Sequence, residues 1–217
     1  MYYLIGDIHG YIHALSKLFT KIRNYLNEDD TLIFLGDYID RGEYSYEVID
    51  FLIAVSRAYK SVFLKGNHEA MLLDYVKSKG GKDVFLYNGG DATVRSYKKN
   101  CGSFSIPKNH MDFYNNLQLY YETDDFIAVH AGLDPNISDL KDQPIDDMLW
   151  IRDRFFRNIK KWPKTVIFGH TPSHFISRDN PIYIDEGRNI IGIDSGIIYG
   201  KTISCLRWPD KKIFSSE

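Results

Sequence analysis

Tyr2-Tyr3-Leu4-Ile5-Gly6-Asp7-Ile8-His9-Gly10 opens the chain with a short apolar run that ends in a polar, glycine-flanked turn, and the same design recurs four times. Thr31 to Leu35 leads into Gly36-Asp37-Tyr38-Ile39-Asp40-Arg41-Gly42, and Ser61 to Leu64 into Gly66-Asn67-His68-Glu69. Phe126 to Val129 leads into His130-Ala131-Gly132, and Thr165 to Phe168 into Gly169-His170-Thr171. Each run is short and β-branched or aromatic, which is the pattern of a buried strand. Between the first three runs, Tyr11, Leu15, Leu18, Phe19, Ile22 and Leu26, then Val48, Ile49, Leu52 and Val55, fall at helical spacing. The order strand, helix, strand, helix, strand predicts a parallel sheet with right-handed crossovers. The polar turns then line the carboxyl ends of the strands, where open α/β sheets bind ligands.

From about Met71 to Leu119 the pattern changes to short helical pieces broken by Gly80-Gly81, Gly89-Gly90, Cys101-Gly102 and Pro107, with Arg95, Lys98, Lys99 and Lys108 among them. This reads as a cap insertion at about 71-119, placed beside the crevice or serving as a packing layer. Strands around Tyr183, Ile190 to Ile193, Ile203 to Arg207 and Lys212 to Phe214 are expected to build a second sheet packed on the first. The expected organisation is an α/β fold in a single domain over 1-217.

At 217 residues and 44% hydrophobic content the chain can bury the core of one large domain. A net charge of -2 with intermixed signs offers neither a basic track for nucleic acid nor a polybasic anchor for a membrane, so any phosphate must be captured locally. Cys101 and Cys205 match no paired-cysteine metal spacing and read as reduced structural thiols. No basic leader or long apolar stretch is present, and the expectation is a cytoplasmic protein without stable nucleic-acid or membrane partners. The oligomeric state is not legible.

The turns carry the donor set of a two-metal centre. Asp7 and His9 alternate about Ile8, so in an extended turn both can grip one cation. Asp37 has an oxygen for each of two metals, as a carboxylate does when it bridges cations roughly 3.5 to 4 Å apart. Asn67 offers a carbonyl oxygen, and His130 and His170 offer nitrogens to the second metal. Oxygen and nitrogen donors without thiolate point to manganese, with iron or zinc as alternatives, rather than magnesium or copper(I). Two such cations bring the pKa of a water held between them from 15.7 toward neutrality, and direct attack of that hydroxide on phosphorus is the expected chemistry. Arg41 can fork onto phosphoryl oxygens. His68, next to Asn67 but facing elsewhere in an extended turn, is the candidate general acid, and Asp40 is expected to orient it and raise its pKa. His13, His110 and His174 lack this context and read as surface or structural histidines.

In this order the motifs GD-x-HG, GD-x-x-DRG, GNHE, HAG and GHT resemble the calcineurin-like metallophosphoesterases. Asp40-Arg41-Gly42 and Glu69 narrow the likeness to the phosphoprotein phosphatase branch. The resemblance, which spans Gly6 to about Gly200, implies two mixed β-sheets sandwiched between helices, with the dimetal site at one edge. It assigns the six ligands above and, through Leu149-Trp150-Ile151-Arg152, makes Arg152 a second phosphate clamp, with Arg154 as the competitor. Where the family's closing segment often has a second glycine after Gly200, Lys201 stands here. The implied activity is phosphomonoester hydrolysis on phosphoserine, phosphothreonine or phosphotyrosine in proteins. The alternative is symmetrical hydrolysis of diadenosine tetraphosphate or related dinucleoside polyphosphates. For either substrate Asn88-Gly89-Gly90 and Thr93 are candidate contacts, and Tyr87, Tyr97, Phe104, Tyr114 and Tyr120 are either base-stacking or core aromatics. A catalytically silent metal-dependent binding protein is the remaining class, but no ligand is missing, nor is His68.

Overall fold

The computed structural model describes residues 1–78, 83–177 and 180–217, and the Gly80-Gly81 break lies outside them. β1 (Tyr2–Ile5) pairs in parallel with β2 (Thr31–Phe34) and β2 with β3 (Ser61–Phe63), and α1 (Ile12–Ile22) and α2 (Ser45–Ala58) are the crossovers. A second sheet runs β4-β5-β6-β8-β7, from β4 (Tyr120–Glu122), β5 (Phe126–Val129), β6 (Thr165–Phe168), β7 (Tyr183–Asp185) and β8 (Ile190–Gly192). The carboxy-terminal strands do not all join it, contrary to expectation. β9 (Ser204–Trp208) and β10 (Lys212–Ser215) extend the first sheet to the order β10-β9-β1-β2-β3. The reason lies in β9, whose Cys205 and Leu206 are both buried. A strand apolar on both faces needs cover on both, and antiparallel pairing with β1, Ile5 opposite Cys205, gives it α1 on one side and the second sheet on the other.

The period of two along each strand sorts the core into layers. Leu4, Ile33, Phe126, Ile167, Ile191 and Leu206 meet between the sheets. Tyr3, Ile5 and Phe34 point the other way, onto α1 and α2. Val129, Val166 and Phe168 face α7 (Ile145–Trp150) and α8 (Asp153–Phe156) through Met148, Phe155 and Phe156. The result is two mixed sheets sandwiched between helices, as the resemblance implies. Burying each large apolar side chain stabilises the fold by about 1.5–3 kcal/mol.

The segment between the third and fourth turns is helical: α3 (Asn67–Lys77), α4 (Asp83–Phe85) running through a wide turn at Leu86–Gly90 into α5 (Asp91–Cys101), and α6 (Lys108–Asn115). Gly102, at φ 77°, ends α5 in the left-handed conformation usual for a helix terminus. α5 and α6 dock on α2 around a buried polar chain. The His110 ring bonds Asp50 at 2.9 Å and the Tyr97 hydroxyl at 2.8 Å, and Tyr97 bonds Tyr114 at 2.9 Å. Tyr97 and Tyr114 are therefore core residues rather than stacking surfaces. The last helix, α9 (Ser173–Ile176), follows β6. Among the described residues no helix is long and apolar enough to cross a membrane.

Phe126 is fully buried between the sheets, edge-on to Tyr2 at 5.1 Å. Phe126→Ala is expected to lower stability by about 3–5 kcal/mol through lost burial and a residual cavity. Urea unfolding should show the midpoint fall with little change in slope.

Candidate metal centre

All five turns converge at one edge, where the ends of β1, β2 and β3 meet those of β5 and β6. The chain turns sharply there. His9 (φ 49°), Asp37 (51°), Asp40 (72°), Arg41 (70°) and His170 (62°) are five of the seven non-glycine residues with positive φ among those described. Such backbone costs about 1–3 kcal/mol per residue and persists only where surroundings enforce it, so its concentration here marks a functional site. It also corrects the extended turn expected for Asp7-Ile8-His9. His68 likewise lies not in an extended turn but in the first turn of α3, where neighbouring side chains diverge by about 100°. Asn67 and His68 still face different ways.

The enforcing contacts are specific. Asp37 O accepts the N–H of Ile8 and of His9, at 3.0 and 2.8 Å. The Glu69 carboxylate accepts N–H groups of Asp37, Tyr38 and Gly66 at 2.8–2.9 Å, tying the β2 turn to the start of α3. At Gly36, φ is 101° and a Cβ would sit 2.6 Å from Gly66 N, so only glycine lets the two turns touch.

The donors meet around Asp37. Its Oδ2 lies 3.6 Å from His9 Nε2 and 3.9 Å from His68 Nε2, while Oδ1 lies 3.4 Å from His130 Nε2. One carboxylate thus addresses two nitrogen sets, His9–Asp37–His68 and Asp37–His130–His170, each with ligand atoms within 4.8 Å of one another. Asn67 Oδ1 is 2.9 Å from His130 Nε2. Asp7 belongs to neither set. Its carboxylate is turned to the His170 N–H at 3.1 Å, yet its charge is felt by Asp37 and Asp194 within the same buried cluster.

These residues fit divalent cations. Nδ1 of His9 bonds Ile39 O at 3.0 Å and Nδ1 of His130 bonds Leu35 O at 2.8 Å. A carbonyl can only accept, so the ring proton sits on Nδ1 and the Nε2 lone pair points into the site. His130 Nε2 then faces the Asn67 oxygen lone pair to lone pair, an arrangement a cation resolves. His170 Nε2 is buried with no hydrogen-bond partner. Burial holds His9 and His170 well below the usual imidazole pKa and His130 down to about 3, so all three are neutral donors. Burial, and then repulsion from Asp194 for Asp7 and from Glu69 for Asp37, pushes those carboxyls well above their ordinary range. That excess negative charge is what cations neutralise.

His68 and Asp40 pair as anticipated, Nδ1 to Oδ2 at 2.6 Å. The direction of the pKa shift is the reverse of the expectation. Burial, then the charges of Arg41 and Arg152, lowers His68 to about 3, and burial raises Asp40 to about 8. Both shifts favour the uncharged form of the pair, in which Asp40 donates from Oδ2 to Nδ1 and the ring keeps its proton on Nε2. Thr93, a candidate substrate contact by sequence, is instead fully buried and donates to Asp40 Oδ1 at 2.6 Å. Gly89 O accepts the Arg41 N–H at 3.1 Å, so the helical segment touches the site as well as packing on α2. Arg41 and Arg152 are both exposed at the rim. Arg152 donates to His170 O and Thr171 Oγ1, each at 3.2 Å, whereas Arg154 turns away to Asp147 and Asp134.

Two residues of the site, Glu69 and Asp194, have no site role in the reading of the chain, and Thr93 has a different one. Glu69 stands three positions after Gly66, the capping-box position that signals a backbone acceptor. Asp194 follows the apolar run Ile190 to Ile193 just as Asp7 and Asp37 follow theirs. It is buried, accepts the Gly196 N–H at 2.8 Å, and is raised by burial to about 6. Nothing local distinguishes Thr93.

The shifts set a pH response for the chain without cations. Lowered imidazoles favour folding increasingly as pH rises from about 3 to their unfolded value of 6.5. Raised carboxyls act oppositely, because the folded state holds protons that the unfolded chain has released. Above 6.5 only the carboxyls remain, with Glu69 at about 7 and Asp40 at about 8. With a chelator present, the melting temperature should fall between pH 6.5 and 8. Saturating manganese should raise the melting temperature and remove that decline, and scanning fluorimetry checks both.

The sequence is 27% identical to the asymmetrical bis(5'-nucleosyl)-tetraphosphatase of Anoxybacillus flavithermus over 240 aligned positions, covering 99% of this chain and 93% of that protein. A crystal structure provisionally named a diadenosine tetraphosphatase superposes with a TM-score of 0.71 at 25% identity, over 99% of this chain and 91% of that one. The cold-active protein-tyrosine phosphatase of a psychrophilic Shewanella species shares the fold, with a TM-score of 0.64 at 16% identity over 100% of this chain and 80% of its own. The calcineurin-like phosphoesterase family model matches residues 2–194, and members of that family are metal-dependent phosphoester hydrolases. By this match and by its site geometry, the chain belongs to the calcineurin-like phosphoesterase family.

Proposed function

We propose that this chain is a dimetal-dependent phosphohydrolase that cleaves dinucleoside polyphosphates. The observation that carries the hydrolytic part is Asp37, whose two oxygens face separate nitrogen donors, as a carboxylate shared between two cations requires. Asp7, His9 and Asp37 hold one cation, and Asp37, Asn67, His130 and His170 the other, with manganese as the pair favoured by the donor types. The substrate part is supported by the names of the relatives at 27% and 25% identity, both tetraphosphatases. The former name supports an asymmetrical cut, giving a nucleoside triphosphate and a monophosphate. A symmetrical cut gives two diphosphates. Phosphorylated side chains of proteins, the substrates that the motifs suggest first, would use the same centre with an alkoxide or phenoxide leaving group.

Bound divalent cations supply Lewis acidity and a nucleophile at neutral pH. The chain's own groups do the rest. Arg41 and Arg152, both close enough to depress His68, offer guanidinium donors to the nonbridging oxygens of the phosphoryl group. His68 gives its Nε2 proton to the leaving oxygen while Asp40 passes its own proton to Nδ1. The ring stays neutral and Asp40 ends as a carboxylate held by Thr93. The helical insertion at about 71-119, within one domain over 1-217, keeps that carboxyl in place.

His68→Ala should retain both metals and lose about 10²–10⁴-fold in kcat on a phosphoserine peptide, whose leaving alkoxide needs a proton. The loss on diadenosine tetraphosphate should be smaller, because a nucleotide leaves readily as an anion. Asp37→Ala should lose metal and activity together. Metal analysis and manganese-supported turnover of diadenosine tetraphosphate, a phosphopeptide and an aryl phosphate test this, with chromatography of the nucleotides locating the cut. Turnover of the peptide alone would discard the substrate, and no phosphate release from any of the three would discard the hydrolase.

A further inference from the structure

Beside the metal centre lies a second cleft, of about 690 Å³, whose lining includes His13, Lys17, His174, Ser195, Lys201 and Thr202. It opens at the same edge of the fold. His13 follows β1 as His9 does, His174 follows β6 four residues beyond His170, and Ser195 adjoins Asp194. Lys17 and Lys201 are exposed, and among the described residues neither has a carboxylate within 4.0 Å. Lys201 also repels His174, adding to burial in lowering that imidazole. Across the cleft from the two lysines stands Glu217, whose main-chain oxygen takes Lys21 Nζ at 2.7 Å. In a chain of net charge -2, two ammonium groups without an ion pair in one cleft are free to meet an anion.

An exposed aromatic pair adjoins the cleft through His174. Phe175 is 56% exposed and Tyr199 54%, far more than their size favours. Their rings lie 5.3 Å apart, and both lean on His174, at 4.2 and 5.2 Å. Exposed rings clustered at the mouth of a cationic cleft are the pairing used to hold nucleotides, with bases stacking on aromatic faces while phosphates meet lysines.

From the dinucleoside polyphosphate reading above, on which this inference rests, we propose that the cleft binds the nucleotide half that is not being attacked. Its phosphates lie on Lys17 and Lys201 and its base on Tyr199 and Phe175. This makes the cleft the source of specificity, because the metal centre recognises only a phosphoryl group.

The double variant Lys17→Ala/Lys201→Ala, assayed as the manganese-loaded enzyme, should raise the KM for diadenosine tetraphosphate at least tenfold with kcat unchanged. Turnover of an aryl phosphate, too short to reach the cleft, should stay within twofold and report intact folding. Tyr199→Ala should weaken the dinucleotide but not inorganic tripolyphosphate, measured as inhibitors of the aryl reaction, separating base from phosphate. Should the dinucleotide prove not to be a substrate, its inhibition of the aryl reaction still tests the cleft. Inhibition weakened tenfold in the double variant upholds it, and inhibition equal to wild type, or none in either protein, overturns it. Parallel loss of aryl and dinucleotide turnover in the double variant would overturn it too, as would a selective loss on phosphopeptides. If the double variant fails to fold, Lys201→Glu alone must show the same split between KM values.

Discussion

The Glu69 carboxylate, fully buried, is what the site hangs on. Its two oxygens take the N–H groups of Asp37, Tyr38 and Gly66, three donors that no strand or helix ladder satisfies. Left without an acceptor, each buried N–H would cost about 1–3 kcal/mol. The bond to Asp37 is the decisive one, because it holds that residue at positive φ. From that conformation the Asp37 side chain lies near His9 and His68 with one oxygen and near His130 with the other.

Building the site this way stores both strain and charge. Five site residues sit in the left-handed region, and Asp7, Asp37, Asp40, Glu69 and Asp194 are buried together. Burial favours protonation of every one of these carboxyls, with repulsion from neighbouring carboxylates adding to it at Asp7, Asp37 and Glu69, while the histidines around them stay neutral. An edge with this composition is matched to divalent cations, which replace the protons the carboxyls would otherwise need. The two arginines stay outside the cluster, exposed at the rim.

The helical insertion shows how a packing layer acquires a second role. Its outer contacts, Tyr97, Tyr114 and His110 with Asp50, anchor it to α2. With the layer fixed there, Thr93 meets Asp40 and Gly89 meets the Arg41 backbone. Asp40 is thus held by a residue 53 positions further along the chain.

The run-and-turn pattern by itself determined the first part of the first sheet, both crossovers, the convergence of the five polar turns, and the contact of His68 with Asp40. Short apolar strands that end in glycine-flanked polar turns have few alternatives, so these were legible. The tertiary structure alone decided that β9 and β10 complete the first sheet, since a strand apolar on both faces takes whichever neighbour covers both. It alone placed Thr93 against Asp40, set Arg152 rather than Arg154 at the rim, and turned Asp7 toward the His170 amide. It also reversed the expected direction of the His68 pKa shift, because burial and the nearby arginines lower it. Each of these depends on distances between residues remote in sequence, and local propensity carries no information about them.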